Sequence, residues 1–113
     1  MTADERRAIE ADCARLIALY ANLNDAARWV EVAALYTEDG SMTRPTAPDA
    51  PLQGRAAILA AFQSRPPRQT RHVCSNVVID VLSPTEARGE SAMILLQPEQ
   101  APLTGSFHDR FVL

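Results

Sequence analysis

The sequence contains no lysine, and all eleven of its basic residues are arginine. That absence excludes enzymes that form a Schiff base through lysine, and nucleotide sites of the P-loop type, whose lysine contacts the phosphates. Glycine is scarce too, and none of the four glycines belongs to a glycine-rich phosphate-binding pattern. Acidic residues outnumber basic ones, and the net charge of −3 argues against nucleic acid or a membrane surface as a partner.

Long apolar runs are also missing. No stretch approaches the roughly 18 apolar residues of a membrane span, and the charged N-terminus, MTADERRAIEAD, has no signal-peptide core. The two cysteines, Cys13 and Cys74, are far apart and predict small buried side chains rather than a disulfide or a metal site. We therefore expect a cytoplasmic protein whose residues 1–113 form a single domain.

The first third of the chain has helical periodicity. A T-x-x-E pattern at Thr2 is typical of a capping box, and the apolar residues that follow recur at spacings of three and four. The stretch 22–25 is rich in asparagine and is expected to interrupt this helix, with Asp25 as the N-cap of a second one. That second helix would carry Trp29 and Tyr36 on its inward side.

The rest of the chain predicts a loop, a helix and three strands. Residues 42–52 contain three prolines and indicate an ordered loop with a short edge strand at 42–44. A third helix is expected at Arg55–Gln63. The period then changes to two, and strands are expected at 71–82, 87–97 and 104–113. Helices followed by an antiparallel meander indicate the α+β class.

The strand that begins TRHVCSN (70–76) has two different faces. Strict alternation places His72, Cys74, Asn76 and Val78 on one face, which has the mixed character of a pocket lining. It places Val77, Ile79 and Val81 on the other, which is apolar enough for a core or an interface. The chain ends in mid-strand, so we expect either a truncated C-terminal strand or another chain that covers this edge.

Four stretches occur in a suggestive order: YANLNDAARWVEVAALYTEDG (20–40), QGRAAILAAF (53–62), TRHVCSNVVIDVLSPTEARGES (70–91) and GSFHDRF (105–111). Together they resemble the SnoaL-like branch of the nuclear-transport-factor-2-like superfamily, which includes scytalone dehydratase, ketosteroid isomerase, polyketide cyclases and small subunits of ring-hydroxylating dioxygenases. The resemblance implies a cone-shaped α+β barrel, with N-terminal helices packed in the concave face of a curved antiparallel sheet. It also implies a pocket for a small apolar molecule, into which His72 and Asn76 would point, and a homodimer formed through the convex face, which would carry Val77, Ile79 and Val81.

The resemblance implies catalytic roles for Asp25 and His72. A histidine titrates near neutral pH and can shuttle protons, and an aspartate across the pocket would orient its ring and stabilise its charged form. Structural roles explain the same residues: Asp25 as a helix cap, and His72 as a core histidine bonded to backbone or water.

Five further residues are candidates for substrate binding: Tyr20, Trp29, Tyr36, Asn76 and His108. The hydroxyl of Tyr20 could polarise a substrate carbonyl, whereas Trp29 and Tyr36 also fit a purely structural role in the core. Although His72 and Cys74 share a strand face, no paired metal-ligand spacing exists, so neither a metal nor a cofactor is predicted.

Three functional hypotheses follow. The first is a cofactor-free acid–base enzyme that performs dehydration, isomerisation or cyclisation on a small carbonyl or polyketide-like compound. The second is a binding module that holds such a compound without chemistry. The third is an assembly subunit of the kind found in ring-hydroxylating dioxygenases. We favour the first, because several polar candidates converge on one expected cavity.

Overall fold

The longest element is an N-terminal helix, α1, which spans Ala3–Asp25. In the computed structural model, which describes all 113 residues, the Thr2 hydroxyl accepts from the Glu5 amide and the Glu5 carboxylate accepts from the Thr2 amide, both at 3.1 Å. The predicted capping box is thereby confirmed. The predicted interruption at 22–25 is wrong, because the helix runs through this stretch and buries Asn24.

A tight turn separates α1 from a second helix, α2, at Trp29–Ala34. The Arg28 amide donates to the Leu23 carbonyl at 3.0 Å and Ala27 has a φ of 56°, a closure of the Schellman type. Arg28 then precedes α2 without any capping hydrogen bond from its side chain. The interpretation of Asp25 as an N-cap is therefore wrong, since Asp25 is the last residue of α1.

A hairpin and a third helix follow. Strands β1 (Ser41–Arg44) and β2 (Ala47–Gln53) pair antiparallel, and α3 occupies Arg55–Gln63 as predicted. The expectation of a loop at 45–52 is wrong for most of that range. The prolines of β2 are accommodated because a two-stranded ribbon leaves one edge without partners, where no amide donor is needed.

The last part of the chain is a three-stranded antiparallel sheet, as predicted. Its strands are β3 (Arg71–Ser83), β4 (Glu86–Leu96) and β5 (Leu103–Val112), hydrogen-bonded in that order. Helix α1 packs across one face of this sheet, which we name the inner face, and the opposite side is the outer face. The fold is α+β, with the helices on one side of a curved, unclosed antiparallel sheet.

A β-bulge in β3 changes the predicted division of its side chains. Ser75 pairs with Ala92 but Val78 pairs with Glu90, so two residues of β3, 76–77, oppose one residue of β4. The alternation shifts by one residue at this point. Its cause is local: the backbone of Asn76 has a φ of 53°, a left-handed conformation that asparagine tolerates better than most residues.

As a consequence, the predicted faces of β3 hold only for its first half. His72 and Cys74 turn inward, as expected, but beyond the bulge Ile79 and Val81 turn inward as well. The assignment of Ile79 and Val81 to a convex interface is therefore wrong. Val78, predicted to share the pocket face with His72, is instead 58% exposed on the outer face.

The tightest core lies where the three helices meet. Four buried side chains form it: Leu23, Val32, Ile58 and Phe62. Burying each of these stabilises the fold by about 1.5–3 kcal/mol. Seven partly buried apolar or aromatic residues surround them, among them Tyr20, Trp29 and Tyr36. This core therefore reaches to the end of α1, where the polar candidates are found.

The outer face of the sheet carries exposed apolar residues near the start of β3 and the end of β4. Val73 and Ile94 are paired across these strands, and they are 45% and 40% exposed. Val78 and Leu96 extend the patch. None of the helices is both long and apolar enough to cross a lipid bilayer.

Candidate functional site

The two predicted catalytic residues are in contact. Asp25 ends α1 and His72 is near the start of β3, and the Asp25 Oδ1 lies 2.5 Å from the His72 Nδ1. Both side chains are nearly excluded from solvent, with 7% of the aspartate and 10% of the histidine exposed. The closeness of a carboxylate and an imidazole in a buried position is the main geometric feature of this site.

Asp25 is also tied to the sheet by two further hydrogen bonds. Its Oδ1 accepts from the Thr70 hydroxyl at 2.9 Å, and its Oδ2 accepts from the His72 backbone amide at 2.8 Å. Both carboxylate oxygens are therefore occupied, and the position of the group is fixed. Because Asp25 accepts from Nδ1, the neutral imidazole of His72 carries its proton there and presents Nε2 as a proton acceptor.

Two tyrosines pack against each other: Tyr20, on α1 five residues before Asp25, and Tyr36, just after the end of α2. The rings of Tyr20 and Tyr36 are edge to face with centroids 6.3 Å apart, and Phe107 of β5 meets Tyr20 in the same manner at 5.8 Å. Burial raises the pKa of Tyr20. Hydrogen bonding with the neighbouring Tyr36 and Asn24 lowers this pKa and offsets part of the increase. Burial also raises the pKa of Tyr36. Both hydroxyls therefore remain protonated and can act as hydrogen-bond donors at any physiological pH.

A second carboxylate faces the interior, and it was absent from the predicted site residues. Asp109 is on β5 between Phe107 and Phe111. Because side chains alternate between the two faces of a strand, all three lie on the inner face. Burial raises the pKa of Asp109, and His108 opposes the shift. The signal was present in the sequence, because an aspartate that alternates with phenylalanines shares their buried face.

The inner face of β3 also carries a cysteine, Cys74. It lies two residues from His72 and makes no disulfide. Burial raises the pKa of its thiol, and the charges of Asp25 and Asp109 add to the effect. The thiol of Cys74 is therefore kept in its neutral form, which disfavours a role as a nucleophile.

The remaining candidates are not all brought together. Trp29 stacks on Phe62 with ring centroids 5.2 Å apart, at the edge of the helical core. Asn76 is exposed at the bulge. His108 is on the outer face, where it lies 3.6 Å from Glu90 with 72% of its side chain exposed, so a substrate contact for His108 has no geometric support.

The site contains an acid–base pair, two tyrosine donors and the half-buried carboxyl group of Asp109. No three histidine, cysteine, aspartate or glutamate side chains are grouped as metal ligands would be. A buried imidazole held by a fixed carboxylate can remove and return a proton, and the tyrosine hydroxyls can stabilise negative charge on an oxygen.

Comparison with solved structures finds relatives of the fold. A candidate scytalone dehydratase from Novosphingobium aromaticivorans superimposes with a TM-score of 0.85 at 27% identity, over 99% of this chain and 78% of its own. ActVI-ORFA from Streptomyces coelicolor matches with a TM-score of 0.70 at 21% identity, over 91% of this chain and 84% of its own. The β subunit of a candidate aromatic-ring-hydroxylating dioxygenase from N. aromaticivorans matches with a TM-score of 0.76 at 14% identity, over 95% and 80%.

The two matches below 25% identity establish a common fold and nothing about activity. No curated protein sequence matches the chain significantly. A sequence model of the SnoaL-like domain, however, matches residues 5–113, which is nearly the whole chain. The resemblance inferred from the four sequence stretches is thereby confirmed, and the protein belongs to the SnoaL-like domain family.

Proposed function

We propose that this protein is a cofactor-free acid–base enzyme that acts on a small, mostly apolar carbonyl or polyketide-like compound. The reaction would be a dehydration, an isomerisation or a cyclisation, each of which begins by removing a proton next to a carbonyl. The observation that carries the proposal is the buried contact between Asp25 and His72. The 27% identity with a candidate scytalone dehydratase supports it.

In this proposal His72 is the base. Its Nε2 takes the proton from the carbon next to the substrate carbonyl, and the adjacent Asp25 carboxylate stabilises the imidazolium that forms. The negative charge that develops on the carbonyl oxygen is stabilised by hydrogen bonds from Tyr20 and Tyr36, which stay protonated because they are buried. The imidazolium then returns this proton to another atom of the substrate, which completes an isomerisation, or to a leaving hydroxyl group, which departs as water and completes a dehydration.

The test is exchange of protons next to a carbonyl, because it requires only the step that all three reactions share. Bicyclic ketones such as 2-tetralone are incubated with the protein in D₂O, and loss of the α-proton signal is followed by NMR. We expect His72→Gln to slow exchange by roughly 10²–10⁴-fold. We expect Asp25→Asn to slow it as well, since the imidazolium then lacks its counter-charge.

Matched controls come from the outer face of the same sheet. His108→Gln and Asp80→Asn change exposed residues of the same types and should exchange at the wild-type rate. Circular dichroism establishes that each variant is folded. The catalytic proposal fails if His72→Gln catalyses exchange as fast as wild type. It also fails if none of the bicyclic ketones exchanges its α-protons faster with the protein than without it.

We propose further that a second copy of the chain covers the outer face of the sheet. The patch formed by Val73, Val78, Ile94 and Leu96 is exposed, and these residues come from two adjacent strands. Exposed apolar patches of this kind usually mark an interaction surface. The position of the patch differs from the one expected from strict alternation, because the bulge turns Ile79 and Val81 inward.

A further inference from the structure

Thr70 is the residue just before β3, and its hydroxyl donates to the Asp25 Oδ1 at 2.9 Å. The same oxygen lies 2.5 Å from the His72 Nδ1, so one carboxylate oxygen has two side-chain donors. The other oxygen, Oδ2, accepts from the His72 backbone amide at 2.8 Å. All three donors therefore come from residues 70–72, and Thr70 supplies the only one that does not belong to His72.

The extended backbone explains how Thr70 and His72 reach one carboxylate. Alternate side chains of an extended chain point to the same side, so these two share a side while Arg71, between them, is exposed on the other. Thr70 is half-buried and lies outside the β3–β4 pairing, which begins at Arg71. Its hydrogen bond to Asp25 is therefore the polar contact that positions its side chain.

A neutral donor on the carboxylate acts differently on the two protonation states of the neighbouring imidazole. While the imidazole is neutral, the charge of Asp25 has no counter-charge, in a position where only 7% of its side chain is exposed. Each hydrogen bond then stabilises that charge. Once His72 is protonated, the imidazolium compensates the charge and the hydroxyl contributes less. The Thr70 hydroxyl therefore favours the neutral imidazole, which is the form that accepts a proton at Nε2.

The other titratable groups around the pair hold a nearly constant charge. The inward-facing ones are Tyr20, Tyr36, Cys74 and Asp109, and the exposed ones beside Asp25 and Thr70 are Arg28, Arg68 and Arg71. Burial raises the pKa of both tyrosines and of the Cys74 thiol, so they stay neutral near pH 7, and the arginines stay charged. Asp109 is six residues along β5 from Leu103, the residue in line with His72, which is about 20 Å along the strand.

We propose that Thr70 is a positioning residue of the acid–base pair: its hydroxyl holds the Asp25 carboxylate in place and keeps the His72 imidazole neutral and ready to accept a substrate proton. This deepens the proposed function and rests on it. Thr70 acts through Asp25 and does not touch the substrate. Loss of the hydroxyl should therefore weaken catalysis on the acid side of neutral pH, where more of the imidazole is then protonated.

The test follows the titration of His72 and the pH dependence of proton exchange in the same set of variants. Thr70→Val removes the hydroxyl and keeps the shape of the side chain, whereas Thr70→Ser keeps the hydroxyl. Thr43→Val makes the same change at an exposed threonine of β1 and is the matched control. All variants carry His108→Gln, which leaves His72 as the only histidine, so its ring signals in NMR are unambiguous.

We expect Thr70→Val to move the midpoint of the His72 titration upward by about half a unit to one unit of pH, because one hydrogen bond to the carboxylate is lost. Below the midpoint, exchange of the 2-tetralone α-protons should slow by the corresponding factor, about three- to tenfold. Above the midpoint it should proceed at the wild-type rate. Thr70→Ser and Thr43→Val should follow the wild type in both measurements.

Three results would overturn the proposal. The first is an unchanged His72 titration in Thr70→Val, and the second is a Thr70→Ser variant that behaves like Thr70→Val. The third is an exchange rate that falls by the same factor at every pH, because Thr70 would then only support the fold. Thr70→Ala removes the same hydroxyl and replaces the valine variant if circular dichroism shows that the latter is unfolded.

The two proposals can fail separately, because the titration needs no substrate. If Thr70→Val shifts the His72 titration but no ketone exchanges its protons, the role of Thr70 in the pair stands and the catalytic proposal fails. If exchange depends on His72 while Thr70→Val leaves the titration and the pH profile unchanged, the catalytic proposal stands and the role of Thr70 fails.

Discussion

At the scale of single residues, Asp25 combines two tasks that are usually separate. It accepts three hydrogen bonds from β3 and the residue before it, and one of these sets the tautomer of His72. Truncating Asp25 would therefore remove a structural tie and the partner of the imidazole at once. For this reason the exchange experiment uses asparagine, which keeps the size of the side chain and part of its hydrogen bonding.

The half-buried carboxyl group of Asp109 leads to a pH-dependent prediction. Burial raises its pKa above the ordinary value of 3.8, so the folded protein holds this proton more tightly than the unfolded chain does. The resulting stabilisation is complete below the unfolded pKa and is lost as the pH rises through the folded one. Asp109→Asn should therefore raise the thermal midpoint by a few degrees at pH 7 and have little effect near pH 3.

Thermal unfolding between pH 3 and pH 8 checks this prediction, with Asp80→Asn as the control. Asp80 is exposed on the outer face of β3, and its replacement should shift the whole curve little. If Asp109→Asn instead lowers the midpoint at pH 7, then the carboxylate of Asp109 makes stabilising contacts in its charged form, contrary to its surroundings of Phe107 and Phe111.

At the scale of secondary structure elements, the β3 bulge decides which side chains reach the site. Asn76 adopts a φ of 53° there, a region that costs most residues with a Cβ roughly 1–2 kcal/mol and costs glycine nothing. We expect Asn76→Gly to be tolerated and Asn76→Val to lose about 1–2 kcal/mol of unfolding free energy. Urea denaturation measures both.

Ser75 provides the control for that comparison. It precedes the bulge, is exposed on the outer face and has no positive φ, so Ser75→Val should be neutral or slightly stabilising. Equal stability of Asn76→Val and Asn76→Gly would contradict this explanation, because the positive φ would then not limit which residue fits at position 76. The predicted substrate contact of Asn76 would then be the alternative to test.

Most elements were predictable from the sequence because each follows from a short-range pattern. The capping box, the helix at Arg55–Gln63 and the strand meander all depend on residues a few positions apart. The contact between Asp25 and His72 was foreseen only as a consequence of the family resemblance. Composition and spacing do not bring together side chains that are 47 positions apart in the chain.

The errors have physical causes. Asparagine and aspartate disfavour a helix interior by a few tenths of a kcal/mol, and burial of Asn24 together with the bonds of Asp25 outweighs this. Strand β2 forms despite its prolines because it pairs only with β1, and its other edge needs no amide donor. The bulge depends on the left-handed backbone of a single residue, for which a strictly alternating pattern has no signal.

At the scale of the whole molecule, the exposed apolar patch on the outer face predicts a dimer. Light scattering coupled to size exclusion should give about twice the 12.3 kDa of one chain. Ile94→Glu places a charge within the patch and should produce a monomer that remains folded. Val30→Glu is the control, because Val30 is 65% exposed on α2, away from the sheet.

A wild-type monomer would contradict the proposed dimer. So would a dimer that Ile94→Glu leaves intact. In the second case the interface lies elsewhere on the chain, and the outer-face patch formed by Val73, Val78, Ile94 and Leu96 would be free for a different subunit.

The tie between the end of α1 and the start of β3 has a consequence for how activity and folding are related. The hydrogen bonds of α1 and those of the β3–β4 hairpin are each local, but neither element by itself places a carboxylate beside the imidazole of His72. The pair comes into existence only when helix and sheet dock. A partly folded chain with normal helix content would thus have no competent base, and recovery of proton exchange during refolding would time the docking step itself.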